Sequence, residues 1–598
     1  MDLNKNQMEV LKAPLGFNLL IEGYSGVGKT TVLLKKYESL LKKHKVSQND
    51  TIFIVNDELK KQILLNQYFL LSSKYNMLNV YTMNELIYKY LKRIDLPLFQ
   101  NTINNDDKKL LIDELVKNYQ LGNDNFDFTV DFVLDEINYI QSNICFKSNK
   151  ELDETLKQEL KHYLLIPRRS IKKGLLSFRE KQGIWQIYND YLSSALSGDF
   201  FDKQTFYQSF LRLIYHQHEN NELAMTFTHV FLDDIQDFSK IELDIIYYLY
   251  QQKDEEYSCY MTLDELKSKD RYKNFKSSLL FKSIQQSVIL DINYRNSKNV
   301  FSIIETNLTN NELINPKLTY RSKSNRNDFK SVLTYYYNKR ADEKREVFFD
   351  RLDLLISNMN YSLKDILVMF TDMDNLEYMR NQCKMNNIKV HDIYDHVGMR
   401  EVDAITFVHK KDITNCEFKV VIIYDADNKK LCTGPINKII NINKNFEDAI
   451  NFYIALANAT DFLIINSSIS EPSHLLLPSL IDYNKFVFDI GSKFEIKSTL
   501  NVYRISDFIA FIKDNLCKYY GYKLEDLKTH PIFDILIDVD YHKIGVKILD
   551  NNIDNDVISY ILKNGQDLTN IVIFDSHHYL TFKNVNNEFI RVVDIPSK

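Results

Sequence analysis

At 598 residues the chain is long enough for three or four domains. Its composition, 44% hydrophobic and 26% charged, is that of a globular protein and excludes long disorder. A formal net charge of -6 excludes a chain wrapped wholesale around nucleic acid, but it leaves room for a local basic groove, where affinity would reside.

The 14 glycines and 9 prolines are few, so long helices and plain loops are expected. Six cysteines (Cys145, Cys259, Cys383, Cys416, Cys432 and Cys517) are scattered without a C-x-x-C pair, which reads as a reducing compartment and no zinc site. The start MDLNKNQMEV is polar and no apolar run reaches about 18 residues. Neither a signal peptide nor a membrane span is therefore expected, and the expected location is cytoplasmic.

In chain order, LNKNQMEVLK reads as a short helix. It leads into FNLLIEGYSGVGKTTVLLKKYESLL (Phe17 to Leu41): an apolar strand, a glycine turn and an amphipathic helix. Gly23, Gly28, Lys29 and Thr30 fit G-x-x-x-x-G-K-[ST], with Gly26 a third glycine in the turn. Glycines let backbone N–H groups point at a polyphosphate, and the helix adds the positive end of its dipole. Lys29 supplies a charge for the β and γ phosphates, the Thr30 hydroxyl can ligate Mg²⁺, and Thr31 completes the phosphate-binding set. ATP with Mg²⁺ is the expected cofactor pair.

TIFIVND (Thr51 to Asp57) reads as a buried strand, and NVYTMNEL (Asn79 to Leu86) as another. Strands alternating with helices imply a parallel sheet with crossover helices. From about Leu91 to Met225 the periodicity turns helical, as in DDKKLLIDELVKNY and EKQGIWQIYNDYLSSAL, and an insertion between sheet strands is the simplest account. Within it, Lys161, Arg168, Arg169, Lys172, Lys173, Arg179 and Lys181 stand against one acid, Glu180. That stretch is either a solvated helix face or a surface that contacts phosphates.

The sheet resumes at FTHVFLDDIQDFSKIELDIIYYL, with Asp233 and Asp234 at the carboxyl end of the strand His229 to Leu232. Mg²⁺ held by Thr30 needs a second anchor there, Asp233, and its neighbour Asp234 can take the proton of the attacking water. YSCYMTLDELKS is a further strand ending in an acid, and SVILDINYRNSKNVFSII reads as strand, turn and helix. A second α/β unit follows from about Asp342, with strands DILVMFT, AITFVHKK and KVVIIYDAD and the helix and strand of AINFYIALANATDFLIINSS. From about Ser492 a separate unit reads as the helix ISDFIAFIKDNLCKYYG, strands FDILIDVD and HKIGVKIL, the helix DNDVISYILKNG, and strands NIVIFDS, HYLTFK and FIRVVDI.

Over roughly residues 1 to 470 the chain resembles a superfamily 1 helicase of the UvrD, PcrA and Rep type. Leu3, Asn4 and Gln7 fit the family's L-N-x-x-Q, implying that Gln7 reads the adenine edge. Thr82 fits the threonine of T-x-H, a nucleic-acid contact, with Asn84 where histidine is usual. Asp233, Asp234, Ile235, Gln236 and Asp237 correspond to D-E-x-Q-D, and Asn293, Tyr294 and Arg295 to N-Y-R, implying that Arg295 is a finger on the γ-phosphate. Thr406, His409, Glu417 and Phe418 resemble motif V, where the glutamate would meet the ribose, and Tyr453 to Ala459 resembles motif VI.

The resemblance implies an α/β fold of two RecA-like parallel-sheet domains of the P-loop NTPase class, with a helical insertion and a small α/β C-terminal domain. The expected segments are 1–90 and 226–285 for domain 1A, 91–225 for insertion 1B, 286–490 for domain 2A and 491–598 for the C-terminal unit. Only about 110 residues separate motifs IV and V, which leaves little room for a 2B insertion.

Departures from the family pattern are as informative as the matches. Asp234 replaces a glutamate, Lys267 stands where motif III has glutamine, KKDITNCEF replaces K-G-L-E-F, and Asn458 takes the place of the motif VI arginine. In the C-terminal unit Asp534 and KIGVKIL resemble the D…E-x-K pattern of restriction-endonuclease-like folds, but Lys547 falls where the acid should be and Leu549 where the lysine should be. A dead nuclease or a plain α/β interaction domain are the two readings.

Two functions follow as expectations. One is an ATP-hydrolysing motor on single-stranded DNA or RNA, with catalytic Lys29, Asp234, Gln236 and Arg295, cofactor contacts from Gln7, Glu417 and the phosphate loop, and nucleic-acid contacts from Thr82, Arg168, Arg169, Lys172 and Lys173. The other is a nucleotide-switched subunit with weak ATPase, partnered through its C-terminal unit with a nuclease in repair or phage defence.

Overall fold

The computed structural model describes residues 3–591 apart from 44–45, 73–77, 97–101, 124–125, 146–151, 171–173, 199, 251–256, 268–273, 311–320, 325–331, 337–340, 399–401, 428–429, 432–443, 469–472, 474, 476–486, 491–526, 529–532, 534, 540–541, 549–554, 569, 575–578 and 586–587. Cys432, Cys517, Lys172, Lys173, Asp534, Leu549 and the expected helix at 505–521 lie outside the described residues. The chain divides into two units, Met1–Ile292 and Asn293–Lys598.

The first unit opens with α1 (Lys5–Lys12), which begins with a reciprocal cap. The Asn4 side chain accepts from the Gln7 amide and the Gln7 side chain accepts from that of Asn4. Strand β1 (Phe17–Glu22), α2 (Lys29–Lys43), β2 (Thr51–Val55), α3 (Glu58–Ser72), β3 (Val80–Thr82) and α4 (Met83–Arg93) follow. The expected strand Asn79 to Leu86 therefore stops at Thr82. There the hydroxyl accepts from the Glu85 amide while the Glu85 carboxylate accepts from that of Thr82, a capping box that turns the chain into helix.

The insertion consists of α5 (Asn105–Leu121), α6 (Val130–Asn143), α7 (Leu152–Leu165), the short hairpin β4 (Arg169–Ser170) and β5 (Gly174–Leu175), α8 (Phe178–Ser197) and α9 (Lys203–Glu219). It has its own core, in which Ile112, Val133, Ile137, Tyr163, Trp185 and Tyr188 are buried together. The chain then re-enters the sheet with β6 (His229–Leu232), α10 (Lys240–Leu249), β7 (Ser258–Leu263), α11 (Leu279–Lys282) and β8 (Gln286–Ile289).

The sheet order is β3-β2-β6-β7-β1-β8, parallel throughout. Strands β2, β6 and β7 are buried along their whole length, as a sheet covered on both faces requires. The expected boundary at 285/286 falls just before β8, whose pairing with β1 carries the first sheet to Ile289.

Strand β9 (Ile292–Asn293), at the division between the units, pairs with β10 (Arg321–Ser322). The second unit then continues through α12 (Lys298–Asn310), β11 (Val332–Tyr336), α13 (Ala341–Asp353), β12 (Ile366–Phe370), α14 (Met373–Met385), β13 (Val390–Asp392), α15 (Ile393–Gly398), β14 (Ile405–His409), β15 (Phe418–Ile423), α16 (Lys444–Asn458), β16 (Ala459–Ser468) and β17 (Val487–Ile490). Here too the pairing is parallel, in the order β13-β14-β12-β15-β16-β11-β17.

The last sheet is mixed and runs β18 (Leu527–Lys528), β19 (Ile535–Val539), β20 (His542–Ile548), β21 (Asn570–Phe574), β22 (Tyr579–Val585) and β23 (Glu588–Arg591). Its one parallel pair, β20 with β21, is joined across α17 (Asn555–Asn564); the remaining pairs are antiparallel. No helix among the described residues is long and apolar enough to cross a membrane.

The basic stretch is a helix end, a hairpin and a helix start, and two of its cations are spent inside the protein. The Arg168 guanidinium donates from Nε (3.0 Å) and Nη2 (2.5 Å) to the buried Glu136 carboxylate and stacks 3.6 Å above the Tyr139 ring. Tyr163 donates its hydroxyl to the same carboxylate at 2.8 Å. Lys181 donates to the Leu164 carbonyl at 2.9 Å and to that of Ile166, closing the end of α7. Lys161 and Arg179 are exposed, and Arg169 is described in its backbone alone.

Removing Arg168 would leave the Glu136 charge buried without its counter-ion. Arg168→Ala should lower the local unfolding free energy of the insertion by about 3–5 kcal/mol. Amide hydrogen exchange across α6 to α8 measures this directly, and unchanged protection there would show the pair to be dispensable.

Candidate nucleotide site

The site grows from the order β6-β7-β1, which brings three carboxyl strand ends side by side. After β1 the chain turns through Gly23, Gly26 and Gly28, all at positive φ, into α2. At two of these positions an added Cβ would also meet a neighbour, backbone at Gly23 and the tip of a side chain at Gly28. A Cβ on Gly23 would stand 2.5 Å from the Leu290 carbonyl oxygen, and one on Gly28 would stand 2.9 Å from Gln7 Nε2.

Lys29 is buried at the start of α2, where Nζ donates to the carbonyls of Gly23 (2.7 Å) and Tyr24 (2.9 Å). Thr30 Oγ1 donates to Asp233 Oδ2 at 2.9 Å, so the hydroxyl and carboxylate expected to share Mg²⁺ already meet. Thr31 is half-buried in the same turn of α2. Gln7 Nε2 donates to the Val27 carbonyl at 3.1 Å, which lays the glutamine on the glycine turn.

At the ends of β6 and β7, Thr262 Oγ1 donates to Asp233 Oδ1 at 2.6 Å and accepts from the Asp234 amide at 2.7 Å. Gln236 Oε1 accepts from the Asp264 amide at 3.1 Å. Asp264 Oδ2 lies 3.8 Å from both Lys29 Nζ and Lys267 Nζ, so the lysine in the motif III position stands one carboxylate away from the phosphate-loop lysine. Asp234 has left-handed backbone (φ 58°), and its Oδ2 pairs with Lys60 Nζ at 3.0 Å; the same ammonium also bonds Asp237.

These charges set one another. Burial and the adjacent Asp234 charge push the Asp233 carboxyl up, against the Thr262 and Thr30 hydroxyls and Lys60. Burial would push Asp234 up as well, but the ammoniums of Lys60, Lys267 and Lys29 outweigh it and hold that carboxyl below the usual range. Burial works against the charge of Lys60, and Asp234 and Asp237 more than restore it. Burial raises Asp264, with Lys29 and Lys267 opposing.

Lys60, Thr262 and Asp264 are site residues that the sequence motifs do not single out. Asp264 leaves a signal, an acid closing a strand, whereas Lys60 and Thr262 enter only because β2 and β7 are the neighbours of β6. Thr82, expected to contact nucleic acid, spends its hydroxyl on the α4 cap and is almost buried.

In the second unit Arg295 and Glu417 are brought together. Arg295 Nε lies 2.9 Å from Glu417 Oε1, and a terminal nitrogen donates to Asn415 Oδ1 at 3.1 Å. Asn458 is fully buried at the end of α16, where it donates to the Thr414 carbonyl (2.7 Å) and accepts from the Cys416 amide (3.2 Å). It staples the loop that carries Asn415 and Glu417. Of the C-terminal pattern only Lys547 is described, half-buried on β20.

The residues present fit Mg²⁺ and a nucleoside triphosphate. The glycine turn leaves a cradle that a Cβ would fill, and a hydroxyl and a carboxylate of the right kind for the metal face each other beside a buried lysine. Residues 3–265 match the family model described as the UvrD/REP helicase N-terminal domain, a span that takes in the phosphate loop, the insertion and Asp264 but ends before Lys267 and the second unit. No curated protein matches the chain. The match over residues 3–265, carried on the parallel α/β architecture of the first unit, supports a UvrD-like superfamily 1 helicase.

Proposed function

We propose that the chain binds ATP with Mg²⁺ and hydrolyses it to move along single-stranded nucleic acid, DNA in preference to RNA, in the cytoplasm. The observation that carries this reading is the bond from Thr30, next to the buried Lys29, to Asp233 across the ends of β1, β7 and β6. Mg²⁺, when bound, would supply positive charge to neutralise the phosphates. Thr30 and Asp233 would hold it, each giving up the hydrogen bond it now makes to the other. Lys29 would exchange two carbonyls for phosphate oxygens, the glycine turn would present its amides, and Gln7 would face the base. Asp234 would orient and deprotonate water, with Gln236 beside it. Arg295 would serve as the finger after releasing Glu417, which then becomes available to the ribose.

The domain assignment that goes with this reading is 1A (1–90 and 226–285, extended by β8), 1B (91–225), 2A up to 490 and the C-terminal unit from 491. A second reading, a slow nucleotide-switched subunit working with a partner protein in repair or antiviral defence, is favoured by the burial of Asn458 where the family places an arginine.

Lys29→Ala removes a charge-assisted contact of roughly 1.5–3 kcal/mol. It should weaken ATP binding by about ten- to a hundredfold, read by titration with a fluorescent ATP analogue. Equal affinity in both proteins would overturn the proposal.

Asn458→Arg would be the obvious attempt to restore a second finger, and the burial of this side chain decides against it. The longer, charged residue cannot occupy the staple, so the substitution should lower thermal stability and leave turnover no faster. A rise in turnover would mean that the 414–416 loop yields and that a motor can be rebuilt.

With Arg168 and Lys181 engaged internally, phosphate binding in the insertion falls to Lys161, Arg169, Lys172, Lys173 and Arg179. Replacing Lys172 and Lys173 with alanine should weaken binding of oligonucleotides equally whatever their sequence. It should also reduce the log-log salt slope by about 0.7 for each phosphate that is no longer neutralised. Unchanged binding and slope would place the grip elsewhere.

A further inference from the structure

Lys60 is the third residue of α3, just past the carboxyl end of β2. In the strand order β2 and the phosphate-loop strand β1 lie on opposite sides of β6, with β7 between β6 and β1. Water attacking a terminal phosphate has to stand on the β7 and β1 side, where Lys29, Thr30 and Lys267 are. The Lys60 ammonium takes Asp234 Oδ2 from the other side and is itself anchored by Asp237.

Asp234 has little freedom to answer both demands. Its backbone is fixed in the left-handed region, and its amide is bonded to Thr262. It is also one methylene shorter than the glutamate the family pattern carries. A glutamate could keep one oxygen on the lysine and extend the other toward water, whereas the shorter arm has to leave one to reach the other.

We propose that Lys60 is a positioning residue that parks Asp234 on the side of β6 away from the hydrolytic water, so that the site binds ATP more readily than it turns it over. This rests on the reading of the site as an ATP-hydrolysing one. It adds that slow hydrolysis is set inside the first unit, by a lysine, independently of the arginine absent at position 458. Lys60 pairs with Asp234 and Asp237 and not with the phosphate-loop residues Lys29 and Thr30, so nucleotide affinity should change little without it.

The test compares Lys60→Met, which keeps the length of the side chain but not its charge, with Lys60→Arg, which keeps the ion pair. Steady-state ATPase kinetics, binding of a fluorescent ATP analogue, and amide exchange over residues 234–238 are measured in the full chain. The expected result is a kcat raised by roughly tenfold in Lys60→Met, a modest part of what a general base contributes, with KM and analogue affinity unchanged. Exchange at the Asp237 and Phe238 amides, which close the turn onto Asp234 and Ile235, should be faster in that variant. Lys60→Arg should behave as the parent protein in all three measurements.

Normal analogue binding with an unchanged or lower kcat in Lys60→Met would overturn the inference and leave the ATPase reading standing. Failure of the parent protein to bind the analogue would overturn both. Should Lys60→Met not fold, Lys60→Gln, neutral and polar, carries the same comparison.

Discussion

Everything at the candidate nucleotide site depends on one half-buried carboxylate, Asp233, tied by hydroxyls from α2 and β7. An ionised acid taken out of water is costly unless its lone pairs are occupied. Here Thr30 fills one oxygen from the phosphate-loop helix and Thr262 fills the other from β7. The tie fixes the relative height of the ends of β6, β7 and β1, and the remaining side chains take their places from it. Four acids (Asp233, Asp234, Asp237 and Asp264) then face three lysines (Lys29, Lys60 and Lys267), so each lysine answers to more than phosphate.

That balance gives the first unit a character of its own. Lys29 and Lys267 share Asp264 on the phosphate side, while Lys60 holds Asp234 and Asp237 on the other. A terminal phosphate arriving beside Asp264 would compete with that carboxylate for two ammoniums already in place. The second unit spends its polar groups differently. Arg295 lies against Glu417, and Asn458 is consumed in holding the loop that positions Glu417. A buried amide satisfied at both ends by backbone is a structural staple, and replacing it by a long cation sacrifices both bonds.

The insertion shows how little a count of basic residues says about binding. Arg168 and Lys181 contribute to the positive excess, yet one neutralises Glu136 while stacked over the Tyr139 ring and the other closes the carbonyls at the end of α7. What separates them from Lys161 and Arg179 is the side of the chain from which they project. Arg168 turns to Glu136 where the chain leaves α7, and Lys181 turns from α8 back to the carbonyls at the end of α7; a count of charges registers neither.

The sequence by itself determined the elements whose causes are local. The glycine turn and the helix after it, the strand ending in Asp233 and Asp234, and the alternation that requires parallel sheets all rest on nearest-neighbour chemistry: φ-permissive glycines, apolar runs and caps. Even the misplaced end of the strand at Asn79 to Leu86 had a local cause, since Thr82 and Glu85 form a capping box three residues apart. Tertiary structure alone decided which residues meet. Lys60 and Asp234 are 174 positions apart and come together only because β2 and β6 are neighbours. Thr262 reaches Asp233 only because β7 lies beside β6. Strand order follows from how buried faces pack over the whole unit, and a one-dimensional pattern of apolar runs does not contain it.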